Sequence, residues 1–463
     1  MATILKEPSN KWLLYFSIVF TVLFVGIGAA FAPIQLAIFS MIPLFLILAC
    51  WQFRIAILVM LVLASGLIPK ALTPTLPFLG GRIRAEDMFL MLLLVIGAFR
   101  LIVKMDRFKN HRLWYPFYFF AILVVLSLLI AFLNNNRLKY IMFESRVILY
   151  WFYAVLLFIS IKRVEHLRAT VNFIILMSSL VAAAMVFQTF TGIQILTDSR
   201  FDPLITNSDV NHKFMRSFFG GFQGFVVFSL VLMLARLARR EVSASIAIPV
   251  LLLLILSLIV NFGRGLWAVT FASVFIASVW LGWRSFVKIW TTLLFVASMI
   301  ASASVLIMPD LLDAIVSRVI SVDREIKSGD SWDWRVIEME HGIKTIKEHP
   351  IRGIGLGGEY MPVINKNMAE DQTAMSHNSY LYIALKFGLL GLLFPAWLCV
   401  ALLLKAKQIG DTLSIAIGSA FMDPVLVGYT QMEWVHMFGV LFMATMVGLL
   451  VAHDRLRNTL GNL

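Results

Sequence analysis

Apolar runs of about 20 residues, the length that crosses a hydrocarbon core about 30 Å thick as a helix, recur along the whole chain. Inside a bilayer every backbone N–H and C=O must find a partner within its own segment or in a closed barrel. Runs this long and this uniformly apolar favour helices. The expected fold is therefore all-α, a polytopic transmembrane helical bundle. The runs fall at 12–31, 33–50, 55–69, 87–103, 113–133, 147–161, 169–190, 218–235, 246–262, 265–282, 289–308, 378–404, 412–430 and 435–452. The 55–69 run is short, and 412–430 carries Gly418, Ser419, Asp423 and Pro424. Either can be re-entrant, so 12–14 spans are expected. With 14% charged residues against about 25% in a soluble chain, little is left for a separate soluble module. The chain divides into membrane helices over 1–308, a large helical loop at 309–377, and further membrane helices over 378–463.

A formal charge of +13 suggests nucleic acid until the charges are placed. Arg100, Lys104, Arg107, Lys109 and Arg112 share one connector, and Lys162, Arg163 and Arg168 lie in or beside another. Arg236, Arg239 and Arg240, then Arg284 and Lys288, Lys405 and Lys407, and Arg455 and Arg457 follow at alternate connectors. This is the positive-inside pattern, so the basic excess reports topology and no nucleic-acid partner is expected. It puts both termini in the cytoplasm and the 309–377 loop outside. Cys50 and Cys399 both fall in expected spans, which leaves no disulfide framework and no thiol metal cluster. Lys6 and Lys11 precede an apolar run that flows into a second span, the pattern of a retained signal anchor.

Within the loop, Val336, Met339, Ile343 and Ile346 repeat at helical spacing and predict a helix over 331–348, with Asp330 or Ser331 as its N-cap. His349-Pro350 ends it, and Gly353, Gly355 and Gly357 make a tight turn. That turn follows a helix and a proline and not a strand, so it is not a nucleotide fingerprint. His377 precedes the next apolar run and has the side chain suited to a general base near neutral pH. The competing reading is that Ser376, His377 and Asn378 only cap the helix. His341 and His349 read as structural. No HExxH or carboxylate cluster appears, so no metal and no cofactor is expected.

Arg264 interrupts a long apolar stretch between Gly263 and Gly265. At a span end an arginine can serve as an interface anchor, but the glycines let a ligand approach the backbone, and the planar guanidinium suits phosphate oxygens. Arg216 and Arg146 stand at similar positions. On the outer side, where the positive-inside rule disfavours them, the three together suit a diphosphate. Asp423 is a costly charge inside a span, with a local role beside Pro424 as its alternative, and Lys386 either pairs with a carboxylate or reaches outward.

Trp334-Arg335, His349-Pro350, the Gly353-x-Gly355-x-Gly357 turn, His377-Asn378-Ser379-Tyr380-Leu381 and Gly388-Leu389-Leu390-Gly391 together resemble the O-antigen ligase/polymerase family. Arg264-Gly265 is similar to that family's Arg-Gly element, and Arg216 followed by Ser217-Phe218-Phe219-Gly220 resembles its upstream arginine element. The resemblance covers roughly residues 210–395. It implies a metal-independent inverting glycosyltransferase of GT-C-like fold in the bacterial inner membrane. Such an enzyme takes a glycan from undecaprenyl pyrophosphate and passes it to a lipid A-core or similar lipid or glycan acceptor. By motif, His377 is the expected base and Arg216 and Arg264 the expected pyrophosphate ligands, with Arg146 added from its position. Asn378, Gly353, Gly355 and Gly357 are expected to position the loop. Lys386 departs from the acidic residue the family commonly has ahead of Gly388. A polymerase using the same donor is the alternative. A lipid-linked saccharide transporter, which needs ionisable groups at mid-bilayer depth, ranks below both, and an inactive membrane subunit would tolerate loss of His377.

Overall fold

The computed structural model describes residues 51–68, 75–78, 81–103, 111–196, 200–206, 209–218, 221–307, 309–320, 330–364 and 373–460. The expected spans 12–31 and 33–50 lie outside the described residues. In chain order the elements are α1 (Phe53–Ala64), β1 (Thr75–Phe78), β2 (Gly81–Arg84), α2 (Ala85–Ile102), α3 (Tyr115–Leu133), α4 (Leu138–Leu149), α5 (Tyr153–Ser160) and α6 (Val164–Thr191). There follow β3 (Arg200–Thr206), β4 (Asp209–Phe218), α7 (Gln223–Ala238), α8 (Ala244–Val260), α9 (Arg264–Trp280), α10 (Trp283–Ile307), α11 (Pro309–Ile320) and α12 (Asp330–Glu348). The last are α13 (Ser379–Phe387), α14 (Leu393–Ile409), α15 (Thr412–Ala420), α16 (Met422–Val427) and α17 (Met437–Leu460).

The chain folds as a polytopic membrane helical bundle. Among the described residues six helical stretches are long and apolar enough to cross a membrane: Arg112–Leu133, Leu138–Ser160, Val164–Thr191, Trp283–Leu306, Leu389–Ile409 and Met437–Thr459. Five shorter apolar helices of 10–17 residues accompany them. Two regions expected to be connectors form antiparallel hairpins instead, β1–β2 and β3–β4. The expected 378–404 span is broken at Gly388, whose φ of +73° closes α13 before a short turn leads into α14.

The core runs along α17, which is almost wholly buried and packs against α5. Small residues let the backbones approach: a side chain at Gly448 would meet the Ala154 carbonyl at 2.8 Å, and one at Gly224 would meet the Phe442 ring at 2.7 Å. A cluster of rings from Phe117, Phe120, Trp151, Phe394 and Trp434 ties α3, α14 and the turn before α17 together, with Phe120 stacked on Phe394 at 4.1 Å.

At one end of the bundle charges close on each other. His111 Nε2 lies 2.9 Å from Asp454, which also takes Lys405 Nζ at 2.9 Å. His453 meets Asp411, and Arg457 donates to the carbonyl that ends α14. The other end carries the 309–377 segment and is called the loop end below.

Candidate active site

Three groups of residues stand at the loop end, and the first surrounds His377. The α13 start is capped by Asn378, whose side-chain oxygen accepts the Tyr380 and Leu381 amides at 2.9 and 3.0 Å. Capping therefore falls to Asn378, supported by Ser376 Oγ accepting the Asn378 amide at 3.2 Å, and leaves the His377 ring unspent. The ring nitrogen Nδ1 lies 2.8 Å from Glu338 Oε1, and the His377 amide donates to Glu338 Oε2 at 3.0 Å. Trp334 Nε1, one turn earlier on α12, donates to Glu338 Oε1 at 2.8 Å. Glu338 is 2% exposed, whereas the His377 side chain is 43% exposed. Among the described residues nothing bonds Nε2.

Glu338 reaches His377 because α12 comes close to α13 at Gly342, where a side chain would meet Leu381 at 2.8 Å. Ile354, Tyr360, Met361 and Leu385, with Trp334, Ile346 and Leu381 around them, form a small apolar core beneath that contact. Tyr360 donates from its hydroxyl to the Met375 carbonyl at 3.1 Å. Burial, and then the Glu338 charge, pushes its phenol above the usual tyrosine range. The other side of α13 is held by the residues after α16. The Ser379 amide donates to the Gly428 carbonyl at 2.8 Å, Ser379 Oγ to the Gln431 carbonyl at 2.7 Å, and the Tyr380 hydroxyl to the Val425 carbonyl at 2.5 Å.

Gly353, Gly355 and Gly357 do more than turn the chain. All three have positive φ, at +63°, +77° and +71°. A side chain at each would strike backbone: Leu385 O at 2.5 Å, Ala131 N at 2.6 Å and Ile141 N at 2.7 Å respectively. The segment is wedged between α13 and the α3–α4 corner, where Asn136 Nδ2 donates to the Ile354 and Leu356 carbonyls at 3.0 and 2.8 Å. Beneath it lies a buried ion pair, Lys386 Nζ to Glu144 Oε1 at 2.9 Å. Glu144 Oε2 accepts the Gly357 amide at 2.6 Å, and Lys386 donates to the Gly358 carbonyl at 2.6 Å. Lys386 thus takes the paired alternative, and its partner stands at the α4 position opposite the glycine turn.

The second group carries Arg264, the first residue of α9. No side chain caps this helix, and its N-cap residue is Gly263. A side chain at Gly263 would strike Asn261 Oδ1 at 2.5 Å, whereas one at Gly265 would meet nothing within 4 Å. The preceding Phe262 is fully buried with φ +52°, a conformation that costs a non-glycine residue energy. It is held by α11: Leu311 and Ala314 pack on it, and Arg318 Nε donates to its carbonyl at 3.2 Å. Arg264 is half-buried. Its helix packs against α15 and α16, and Gly428 just beyond α16 accepts the Ser379 amide, so α16 stands between the Arg264 and His377 helices.

Arg216 lies in β4, opposite Asp202 in β3. The hairpin packs on α6, where Gln188 bonds Ser217, and it also touches α11. Arg146 stands apart from these groups. Its guanidinium donates to Asp87 Oδ2 at 3.2 Å and lies over the Phe143 ring, while the Asp87 carboxylate also accepts the Tyr150 hydroxyl at 2.8 Å. Asp423 is buried in α16. Among the described residues no three His, Cys, Asp or Glu side chains are grouped to hold a metal ion. Sequence reasoning missed Glu338. Its one signal, a carboxylate one turn after Trp334 on an amphipathic helix, reads equally as a solvated face.

These features define a polytopic membrane protein with a glycine-wedged loop that presents a histidine at the end of a helical bundle. Residues 249–396 match the family model described as O-antigen ligase. The matched segment holds Arg264, Glu338, the three glycines and His377, and leaves out Arg146 and Arg216. The match supports a membrane enzyme of O-antigen ligase or polymerase type, in the glycosyltransferase/ligase class. No curated protein matched the chain.

Proposed function

We propose that the protein is an inverting, metal-independent glycosyltransferase of GT-C-like architecture. It moves a glycan from undecaprenyl pyrophosphate to a lipid A-core or similar acceptor at the periplasmic face of the inner membrane, with both termini cytoplasmic. The observation that carries this reading is the half-exposed His377 imidazole, anchored through Nδ1 and, among the described residues, unbonded at Nε2, within the segment that matches the O-antigen ligase family.

In the reaction, an acceptor hydroxyl oxygen attacks the anomeric carbon from the side opposite the pyrophosphate, which inverts the centre. The hydroxyl proton passes to His377 Nε2 as the new C–O bond forms. The old C–O bond breaks with its electron pair leaving on the pyrophosphate oxygen. Arg264 and Arg216 hold the charge that develops there, the electrostatic contribution that is usually largest in such a step. The first-turn amides of α9 add positive potential of the kind that holds phosphates at helix N-termini. Arg146, already neutralised by Asp87, contributes at a distance by stiffening α4 against α2. Asn378 and the three glycines fix where His377 stands.

The test is transfer by purified protein in lipid, using a lipid-linked glycan donor. Product that accumulates with wild type in EDTA and not with His377→Ala supports the reading. Loss in EDTA that a divalent cation restores overturns its metal-free part. Cells lacking the gene separate ligase from polymerase. Long lipid-linked chains beside bare lipid A-core indicate a ligase, and single repeat units indicate a polymerase.

A further inference from the structure

We propose that Glu338 is the positioning residue of this site: it sets the tautomer of His377 and balances the imidazolium formed when the acceptor proton arrives. The inference rests on the reading of His377 as base and deepens it. Three donors converge on one buried carboxylate, and two of them belong to the same histidine. Oε1 takes Nδ1 at 2.8 Å and Oε2 takes the His377 amide at 3.0 Å, so the ring is referenced to its own backbone. Trp334 Nε1 fills the remaining approach to Oε1 at 2.8 Å and holds the carboxylate against rotation. None of the three is a lysine or arginine. An ionised carboxylate buried to this degree needs a compensating charge or several hydrogen bonds, and among the described residues hydrogen bonds satisfy it until His377 takes a proton.

The chemical consequence follows from the histidine inventory. A carboxylate is acceptor-only, so Nδ1 must carry the proton and Nε2 the lone pair. The lone pair then sits on the exposed half of the ring, where an acceptor hydroxyl can reach it. When Nε2 takes the proton, the imidazolium charge forms 2.8 Å from a carboxylate shielded from water, where attraction is strongest. Glu338 itself gains and loses no proton, and its task is orientation and charge balance. This is the relation of a buried carboxylate to a catalytic histidine in the serine-protease triad, reached from α12 of a membrane loop.

The test has a readout that merely structural support would not move. Full-length protein labelled with ¹⁵N at histidine and reconstituted in lipid gives ring-nitrogen signals for the eight histidines, with His377 assigned by comparison with His377→Gln. Wild type is expected to show His377 protonated at Nδ1 and bare at Nε2. Glu338→Ala is expected to shift that signal toward the mixture of tautomers found in free imidazole. Turnover should fall by about 10²–10⁴-fold, the usual range for loss of a competent general base, with the donor KM unchanged. Glu338→Gln keeps the shape and an acceptor oxygen for Nδ1 but loses the charge, so it should retain the wild-type tautomer with intermediate turnover. It also serves as the control should the alanine variant not accumulate. A wild-type ring protonated at Nε2, or a signal indifferent to both substitutions, overturns the role of Glu338. Full transfer by His377→Ala overturns the base itself. An inactive His377→Ala beside a fully active Glu338→Ala removes Glu338 alone.

Discussion

Histidine meets carboxylate at both ends of the bundle, and the two ends use the pair in opposite ways. At the loop end the ring is open and the acid hidden: His377 is 43% exposed and Glu338 2%. At the far end both rings are covered: His453 is 17% exposed against 39% for Asp411, and His111 18% against 7% for Asp454. The nitrogens differ as well. His111 and His453 contact their acids through Nε2, and His111 also accepts the Leu113 amide on Nδ1 at 3.2 Å. His377 gives Nδ1 to Glu338 and keeps Nε2 unbonded among the described residues. A pair that buries its base is a clasp between helices. A pair that buries its acid and offers a nitrogen to solvent is equipped for proton transfer. Composition alone does not separate them; the nitrogen used and the exposure of the ring do.

The contrast is broken most directly by exchanging the histidines one at a time. His377→Ala should lower glycan transfer by at least about 10²–10⁴-fold, while His111→Ala and His453→Ala should transfer normally and melt earlier; a transfer assay beside a thermal-stability scan shows both. Next in size is Arg264→Lys, which keeps a charge at the start of α9 but loses the planar fork. A turnover loss of about 10²–10³-fold, the range seen when one preformed donor to a developing anion is removed, would place Arg264 on the working side. Lys386→Met sharpens the comparison with a fully buried charge pair, since it strands Glu144 and should cost about 3–5 kcal/mol of stability. The double substitution Lys386→Met with Glu144→Gln should recover part of that loss in the same unfolding measurement. Gly355→Ala forces a side chain into φ +77° against the Ala131 amide and should cost about 1–3 kcal/mol, with protein yield and melting as the check.

The smallest effect belongs to Asp411. Burial pushes its carboxyl up, but the hydrogen bond from His453 and that from the Ser414 amide hold it at about 2, below the ordinary 3.8. A depressed carboxylate stabilises above its unfolded pKa and loses that contribution as the pH falls through the folded one. Asp411→Asn should therefore lower the melting temperature slightly at neutral pH, and the gap from wild type should close toward pH 2.

Much of this could be read from the chain because helix and bilayer impose regular signals. The loop helix expected at 331–348 spans Asp330–Glu348, and the three glycines expected to turn all have positive φ. The hairpin from Arg200 to Phe218 was hidden, since a connector with alternating residues looks like any polar linker until it pairs. Lys386 left open whether it pairs with a carboxylate or reaches outward, because its partner Glu144 lies on a helix far earlier in the chain. Glu338 was the hardest to see. Its meaning depends on a close approach at Gly342 and on a histidine 39 residues away, and neither leaves a local trace.

The glycine wedge also sets an order of assembly. Glu144 is made and threaded into the membrane long before Lys386, and the amide that satisfies its second oxygen comes from Gly357, 213 residues later. A nascent chain with only its first half made therefore carries this carboxylate with neither partner yet synthesised. Closing the pair needs α13 and the glycine turn against α4, so these contacts around Glu144 form only once the chain through α13 has been made. A chain stopped short of α13 would be a substrate for quality control, marked by one stranded acid in an otherwise ordinary helix.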